Sequence, residues 1–158
     1  MMIAVNDTAP DFSLGSDSGE MFRLQDHAGD RLLLVFYPGD NTPVCTRQLC
    51  EYRDEIGAFT GLGVTVVGIS ADDPESHRAF KNRYDLPFVL LSDPRLEVAQ
   101  RYGCKGVFGM KRGLFLIDDR GIVRYAHVEP LALFRRRAEE LLGVIRGLDP
   151  GRDDEAER

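Results

Sequence analysis

The apolar run Leu32-Leu33-Leu34-Val35-Phe36-Tyr37 stops at Pro38-Gly39-Asp40-Asn41, and Thr42-Pro43 opens a helical pattern directly afterwards. Six apolar residues in a row have the length and composition of a buried strand, and the Pro/Gly/Asp/Asn cluster marks its end. Thr42 suits an N-cap, and Pro43 suits the first helical position, where a missing N–H costs nothing. This strand and helix are one of the alternating β and α units that imply a sheet flanked by helices. The same count places Cys45 in the first helical turn, where unpaired N–H groups and the positive end of the helix dipole favour an anion. A thiol in that position is expected to ionise readily and to be reactive.

The rest of the chain continues the alternation. Short strands are expected near Asp11–Leu14 and Met21–Leu24, joined by the turn-rich Gly15-Ser16-Asp17-Ser18-Gly19. After the strand Leu32–Tyr37 comes a helix from Pro43 to about Thr60, then strand Val64–Ser70, helix Pro74–Tyr84, strand Phe88–Leu91 and helix Pro94–Tyr102. A hairpin follows, Leu114–Asp118 and Ile122–His127 turned at Asp119-Arg120-Gly121, and the last helix is Leu131–Leu148. Alternating β and α units with a terminal hairpin imply an α/β fold, a central mixed sheet flanked by helices with an N-terminal strand extension. At 158 residues and 43% hydrophobic content the chain suits one domain, residues 1–148. Residues 149–158 hold one apolar residue, Ala156, and read as a flexible acidic tail.

Composition narrows the function. A net charge of −6 without a long basic stretch argues against nucleic acid as a partner. Arg135-Arg136-Arg137 reads as the solvated face of a helix. No stretch has the length to span a bilayer and the first residues lack the layout of a signal peptide, so a cytoplasmic protein without a membrane partner is expected. Three cysteines cannot form a complete disulfide framework and read as redox-active or buried thiols. His27, His77 and His127 are isolated and no phosphate loop or Gly-x-Gly-x-x-Gly appears, so neither a metal nor a cofactor is expected.

The long helix carries two of the cysteines. Cys45, Leu49, Tyr52, Ile56 and Phe59 recur at spacings of four and three, so the reactive thiol shares the buried stripe. Cys50 lies off that stripe. Five residues turn a helix by about 140° and separate the Cα atoms by roughly 8–9 Å. A disulfide needs them within about 7 Å, so the two cysteines cannot pair while the helix is intact. Cys104 sits in Tyr102-Gly103-Cys104-Lys105-Gly106, read as an exposed Gly-rich loop.

The pattern Pro38-x-x-x-Thr42-Pro43-x-Cys45 resembles the active-site loop of the peroxiredoxins, and Cys50 five residues on is similar to their Q-type branch, the bacterioferritin-comigratory proteins. Val44 stands where that branch often has glycine, and Thr-Pro-Val-Cys is also similar to the branch that uses a single cysteine. The resemblance implies a thioredoxin-like fold and a monomer. It also implies a peroxidase that reduces hydrogen peroxide and organic hydroperoxides through Cys45. Pro38, Thr42 and Arg112 are the implied site residues, Arg112 being the arginine that precedes Phe115-Leu116-Ile117-Asp118. Cys50 is the implied resolving thiol, and a thioredoxin-like protein the implied reductant. Resolution by Cys104 and a one-cysteine cycle stay open. So do two other classes: a cysteine hydrolase or transferase, for which His127 would have to approach Cys45, and a redox sensor or holdase without turnover.

Overall fold

The computed structural model describes residues 3–107, 109–129 and 137–147. The expected strand is β3, Arg31–Phe36, and its side chains, with that of Tyr37 just after it, divide between two hydrophobic clusters. Leu33, Val35 and Tyr37 enter one, and Leu32, Leu34 and Phe36 the other. Burial on both faces follows from its place inside the sheet.

Before β3 come β1 (Ser13–Ser16) and β2 (Met21–Arg23), and after it α1 (Pro43–Asp54), α2 (Ile56–Gly61), β4 (Val64–Ser70), α3 (Pro74–Tyr84), β5 (Val89–Ser92) and α4 (Glu97–Arg101). There follow β6 (Lys105–Gly106), β7 (Gly109–Met110), β8 (Gly113–Ile117), β9 (Val123–Val128) and α5 (Ala138–Gly147). Seven strands form one sheet in the order β2-β1-β5-β4-β3-β8-β9. Its centre, β3, β4 and β5, is parallel, and the outer strands join antiparallel. On one face Cys45, Leu49, Tyr52, Phe59 and Phe80 pack with Ala138, Leu141, Leu142 and Ile145 of α5. On the other, Val98, Ala99 and Tyr102 join Ala9, Phe12 and Phe22 of the N-terminal segment. The fold is the expected central mixed sheet flanked by helices.

The element ends depart from expectation for local reasons. The long helix breaks at Glu55, which leaves helical geometry at φ −104°, ψ 14°. Its N–H is shared among the carbonyls of Glu51, Tyr52 and Arg53, a tightening that ends α1. Phe59 of α2 still reaches the core, so the buried stripe runs across the break. The fourth helix starts later than Pro94 because Leu96 adopts the left-handed region at φ 57°. The Asp93 carboxylate instead accepts from the N–H groups of Val98 at 3.3 Å and Ala99 at 2.8 Å. Gly15 and Ser16, read as turn, pair with Ser92 and Leu91 of β5. The small β6–β7 hairpin had no signal beyond its glycines. Of the last expected helix, residues 138–147 are helical, while 131–136 and 148 lie outside the described residues, as does the tail at 149–158. Arg137, the described member of the basic run, lies just before α5. No described helix is long and apolar enough to cross a membrane.

Candidate active site

Pro38 leaves the end of β3 half-buried, and the loop to α1 turns at Asn41, whose φ of 62° is left-handed. Thr42 occupies the N-cap with extended geometry, φ −79° and ψ 147°, and Pro43 begins the helix. The cap differs from expectation in its side chain. The Thr42 hydroxyl donates to the Gly39 carbonyl at 2.9 Å and so braces the loop; it accepts no N–H of α1. The first helical bond runs from Thr46 N–H to the Thr42 carbonyl at 2.8 Å. N–H groups of this first turn have no intrahelical acceptor and are open to an anion.

Cys45 is buried in this turn, 1% exposed, and its thiol is free. Arg112, also 1% exposed, comes from the chain just before β8 and places Nη1 at 3.3 Å from Cys45 Sγ. That contact spans sixty-seven residues of sequence, and it exists because β8 lies beside β3 in the sheet. Lys111, the neighbouring cation, is exposed. Sequence reasoning missed the group that steers Arg112: Gln48 Oε1 accepts from the same Nη1 at 2.6 Å. Gln48 Nε2 in turn donates to the Tyr52 hydroxyl at 3.1 Å. Cys45, Gln48 and Tyr52 are three and four residues apart, so they share one face of α1. A signal existed: Gln48 is a polar residue beside Leu49 on an otherwise apolar stripe. Burial pushes the Tyr52 phenol well above its ordinary range, with the Gln48 hydrogen bond and Arg112 opposing the rise and Glu51 adding to it, so this hydroxyl stays protonated.

The other two thiols have different surroundings. Cys50 is half-buried on the same uninterrupted helix as Cys45, and its thiol is free. Burial raises its pKa, Asp54 adds to the rise and Arg53 opposes it. Cys104 corrects the expectation of an exposed loop, since it is fully buried. Its N–H donates to Ala99 at 2.7 Å and its carbonyl accepts from Lys111 at 2.6 Å, which ties this segment down on both sides. It belongs to the cluster on the face of the sheet opposite Cys45, and burial pushes its thiol up to about 12. Resolution of Cys45 by Cys104 would need passage through the sheet.

The hydrolase reading needs a histidine base, and the shortest hydrogen bonds described for the His127 and His77 rings run to carboxylates. His127 places Nε2 at 2.8 Å from Glu129 Oε1, and His77 places Nδ1 at 2.8 Å from Asp40 Oδ2. Among the described residues, the polar side chain that contacts Cys45 Sγ is the Arg112 guanidinium, which cannot take a proton.

The fold is thioredoxin-like, shared with solved peroxiredoxins. Peroxidoxin BcpB of Mycobacterium tuberculosis superposes with a TM-score of 0.82 at 31% identity, covering 90% of this chain and 96% of that one. Peroxiredoxin Q of Xanthomonas campestris gives 0.78 at 26% identity, over 88% and 90%. In sequence, a putative peroxiredoxin bcp of Coxiella burnetii is 44% identical over 131 residues, 78% of this chain and 87% of that protein. Peroxiredoxin Bcp of Bacillus subtilis is 37% identical over 129 residues, 77% and 82% of the two. The model of the AhpC/TSA family matches residues 5–126. The chain belongs to that family, as a peroxiredoxin of the Bcp/Q kind, and hence to the enzymes that reduce peroxides with a cysteine thiol.

Proposed function

We propose that Cys45 is the peroxidatic thiol, that Arg112, Thr42 and Pro38 complete its site, and that Cys50 resolves the product. The observation that carries this reading is the 3.3 Å contact between a buried guanidinium and a thiol in a helix's first turn. The arginine and the helix end bring positive charge to the sulfur, and the thiolate is the form that attacks. Its sulfur forms a bond to one peroxide oxygen while the O–O bond breaks. The departing oxygen gains negative charge and leaves as water or an alcohol after taking up a proton. Arg112 and the first-turn N–H groups are placed to stabilise that charge as it develops. Thr42, with its hydroxyl proton held by Gly39, keeps lone pairs for the incoming peroxide O–H.

Cys45 is then a sulfenic acid, and the Cys50 thiol condenses with it, releasing water and leaving a disulfide. A thioredoxin-like dithiol returns two electrons and restores both thiols. Hydrogen peroxide and organic hydroperoxides are the substrates. A solved Xanthomonas campestris bacterioferritin comigratory protein, 25% identical with a TM-score of 0.78, is described by its alkyl peroxide reduction activity, which supports the organic class here. Purified protein supplied with a thioredoxin system and hydrogen peroxide tests the reading. Wild type is expected to consume peroxide over many turnovers and Cys45→Ser none; turnover by Cys45→Ser would put the nucleophile elsewhere.

A further inference from the structure

A second buried polar cluster holds the loop that delivers Cys45, and the chemistry above makes no use of it. Its centre is the Asp40 carboxylate, whose side chain is 1% exposed. Oδ1 accepts from the Tyr37 hydroxyl at 2.6 Å, and Oδ2 accepts from Ser76 Oγ at 2.8 Å and from His77 Nδ1 at 2.8 Å. His77, fully buried in the first turn of α3, has its other ring nitrogen 3.0 Å from the Leu91 carbonyl of β5. Its two ring nitrogens thus link two elements, the Asp40 carboxylate of the loop on one side and the β5 backbone on the other. The Asp40 N–H is held too, by Asp72 Oδ2 at 2.8 Å, which also accepts from Ser70 Oγ at 2.7 Å.

The loop needs holding from outside. Asn41 adopts a left-handed conformation that non-glycine residues enter at a cost, and it persists where surroundings over-determine it. Within the loop, the 2.9 Å bond between Thr42 and Gly39 braces one side of the turn, and Asp40 anchors the link between them. A residue of α3 thus reaches, through one carboxylate, the peptide units immediately ahead of Cys45.

We propose that His77 is a positioning residue for peroxide reduction, acting through Asp40 to keep the Pro38–Thr42 loop and the first turn of α1 in the geometry that receives peroxide. The proposal rests on the reading of Cys45 as the peroxidatic thiol. Misplacement of donors by about an ångström slows a reaction that depends on their alignment far more than one that does not. Peroxide reduction needs those donors at the departing oxygen, whereas alkylation by iodoacetamide uses the same sulfur without them.

The experiment compares wild type, His77→Gln and the double variant His77→Gln with Asp40→Asn, all reduced, at one pH. It reads the second-order rate with hydrogen peroxide, the alkylation rate at Cys45 mapped by mass spectrometry, and the melting temperature. His77→Gln is expected to lose about tenfold or more in the peroxide rate while alkylation changes by less than about threefold. Asp40→Asn in that background is expected to recover much of the loss, because a neutral amide is less costly than a carboxylate to leave buried with one hydrogen-bond partner fewer. An unchanged peroxide rate, a proportional fall in both rates, or absence of recovery overturns the proposal. If His77→Gln does not fold, Ser76→Ala, which removes one bond from the same carboxylate, must show the same selective fall on a smaller scale, and equal rates overturn it. Wild type that fails to react with peroxide would instead overturn the Cys45 reading.

Discussion

Arg112 is buried and always charged, so the residues that fix its direction matter as much as its presence. Its Nη1 serves Gln48 at 2.6 Å and Cys45 at 3.3 Å, and Gln48 is held by Tyr52. Truncating the amide acceptor leaves a buried guanidinium under-bonded, a cost of about 1–3 kcal/mol. Gln48→Leu is therefore expected to fold with lowered stability and to reduce hydrogen peroxide about tenfold more slowly or worse, since the donor no longer points at the departing oxygen. Stopped-flow rates and a urea melt check the two effects separately; a wild-type rate would remove Gln48 from the site. At this scale the sequence showed Cys45 through its cap and Arg112 through the family pattern, but Gln48 only as a blemish on an apolar stripe. Nothing local could say that an arginine sixty-four residues away would meet it.

At the scale of one element, α1 has two unequal parts with different attachments, residues 43–50 and 51–54. The first carries Cys45 and Cys50 on one unbroken helix, as the spacing argument expects. The second part is bolted to its neighbours. Glu51 Oε1 accepts from the Ala138 N–H at the start of α5 at 2.8 Å, and Arg53 Nη1 donates to the Tyr84 carbonyl at the end of α3 at 2.5 Å. Formation of a Cys45–Cys50 disulfide must break the i to i−4 bonds of the first part while these caps resist beyond it. Oxidation is expected to lower helix content and to raise amide exchange over residues 43–50, leaving 53–54 protected. Cys50→Ser is expected to consume about one equivalent of peroxide and then stall as the sulfenic acid. Normal turnover of that variant with a thioredoxin donor, or unchanged exchange in the oxidised wild type, would exclude this route.

Across the whole molecule, the sheet decides which thiols can meet. Gly113 in β8 faces Cys104, and a Cβ there would overlap the Cys104 sulfur. Gly113→Ala is expected to destabilise by about 1–3 kcal/mol through overpacking. Adding Cys104→Ala should recover part of the loss, and Cys104→Ala alone is expected to keep peroxide turnover, because its thiol lies across the sheet from Cys45. Thermal melts and turnover assays on the three variants test both statements. Asp17 ties the N-terminal strands to the rest, accepting from the Leu90 N–H at 2.9 Å and pairing with Lys81 Nζ at 2.8 Å. Burial raises its pKa, but the Leu90 N–H and the Lys81 ammonium outweigh that and hold it below the usual range. A depressed folded value contributes stability above the unfolded carboxylate range, which is lost as pH falls through the folded value. Asp17→Asn is expected to be less stable at neutral pH and to lose less on acidification, measurable by urea unfolding at both ends of the range.

Short-range chemistry suffices for much of this protein. The central strand, the helix that opens at Pro43 and the limits of β4 and α3 follow from hydrophobic period, proline and capping residues acting over a few positions. Where competing local signals were close in strength, at Glu55, at Leu96 and around Cys104, the period alone misplaced an element end or a burial. The site and its supports were decided by tertiary structure. Arg112 meets Cys45, Gln48 meets Arg112 and His77 meets Asp40 only because β8 and β4 lie either side of β3 and α3 follows β4. Propensity and spacing carry no information about which distant strand becomes the neighbour. That choice is made by burying both faces of the sheet at once, and it determines which charges share an interior.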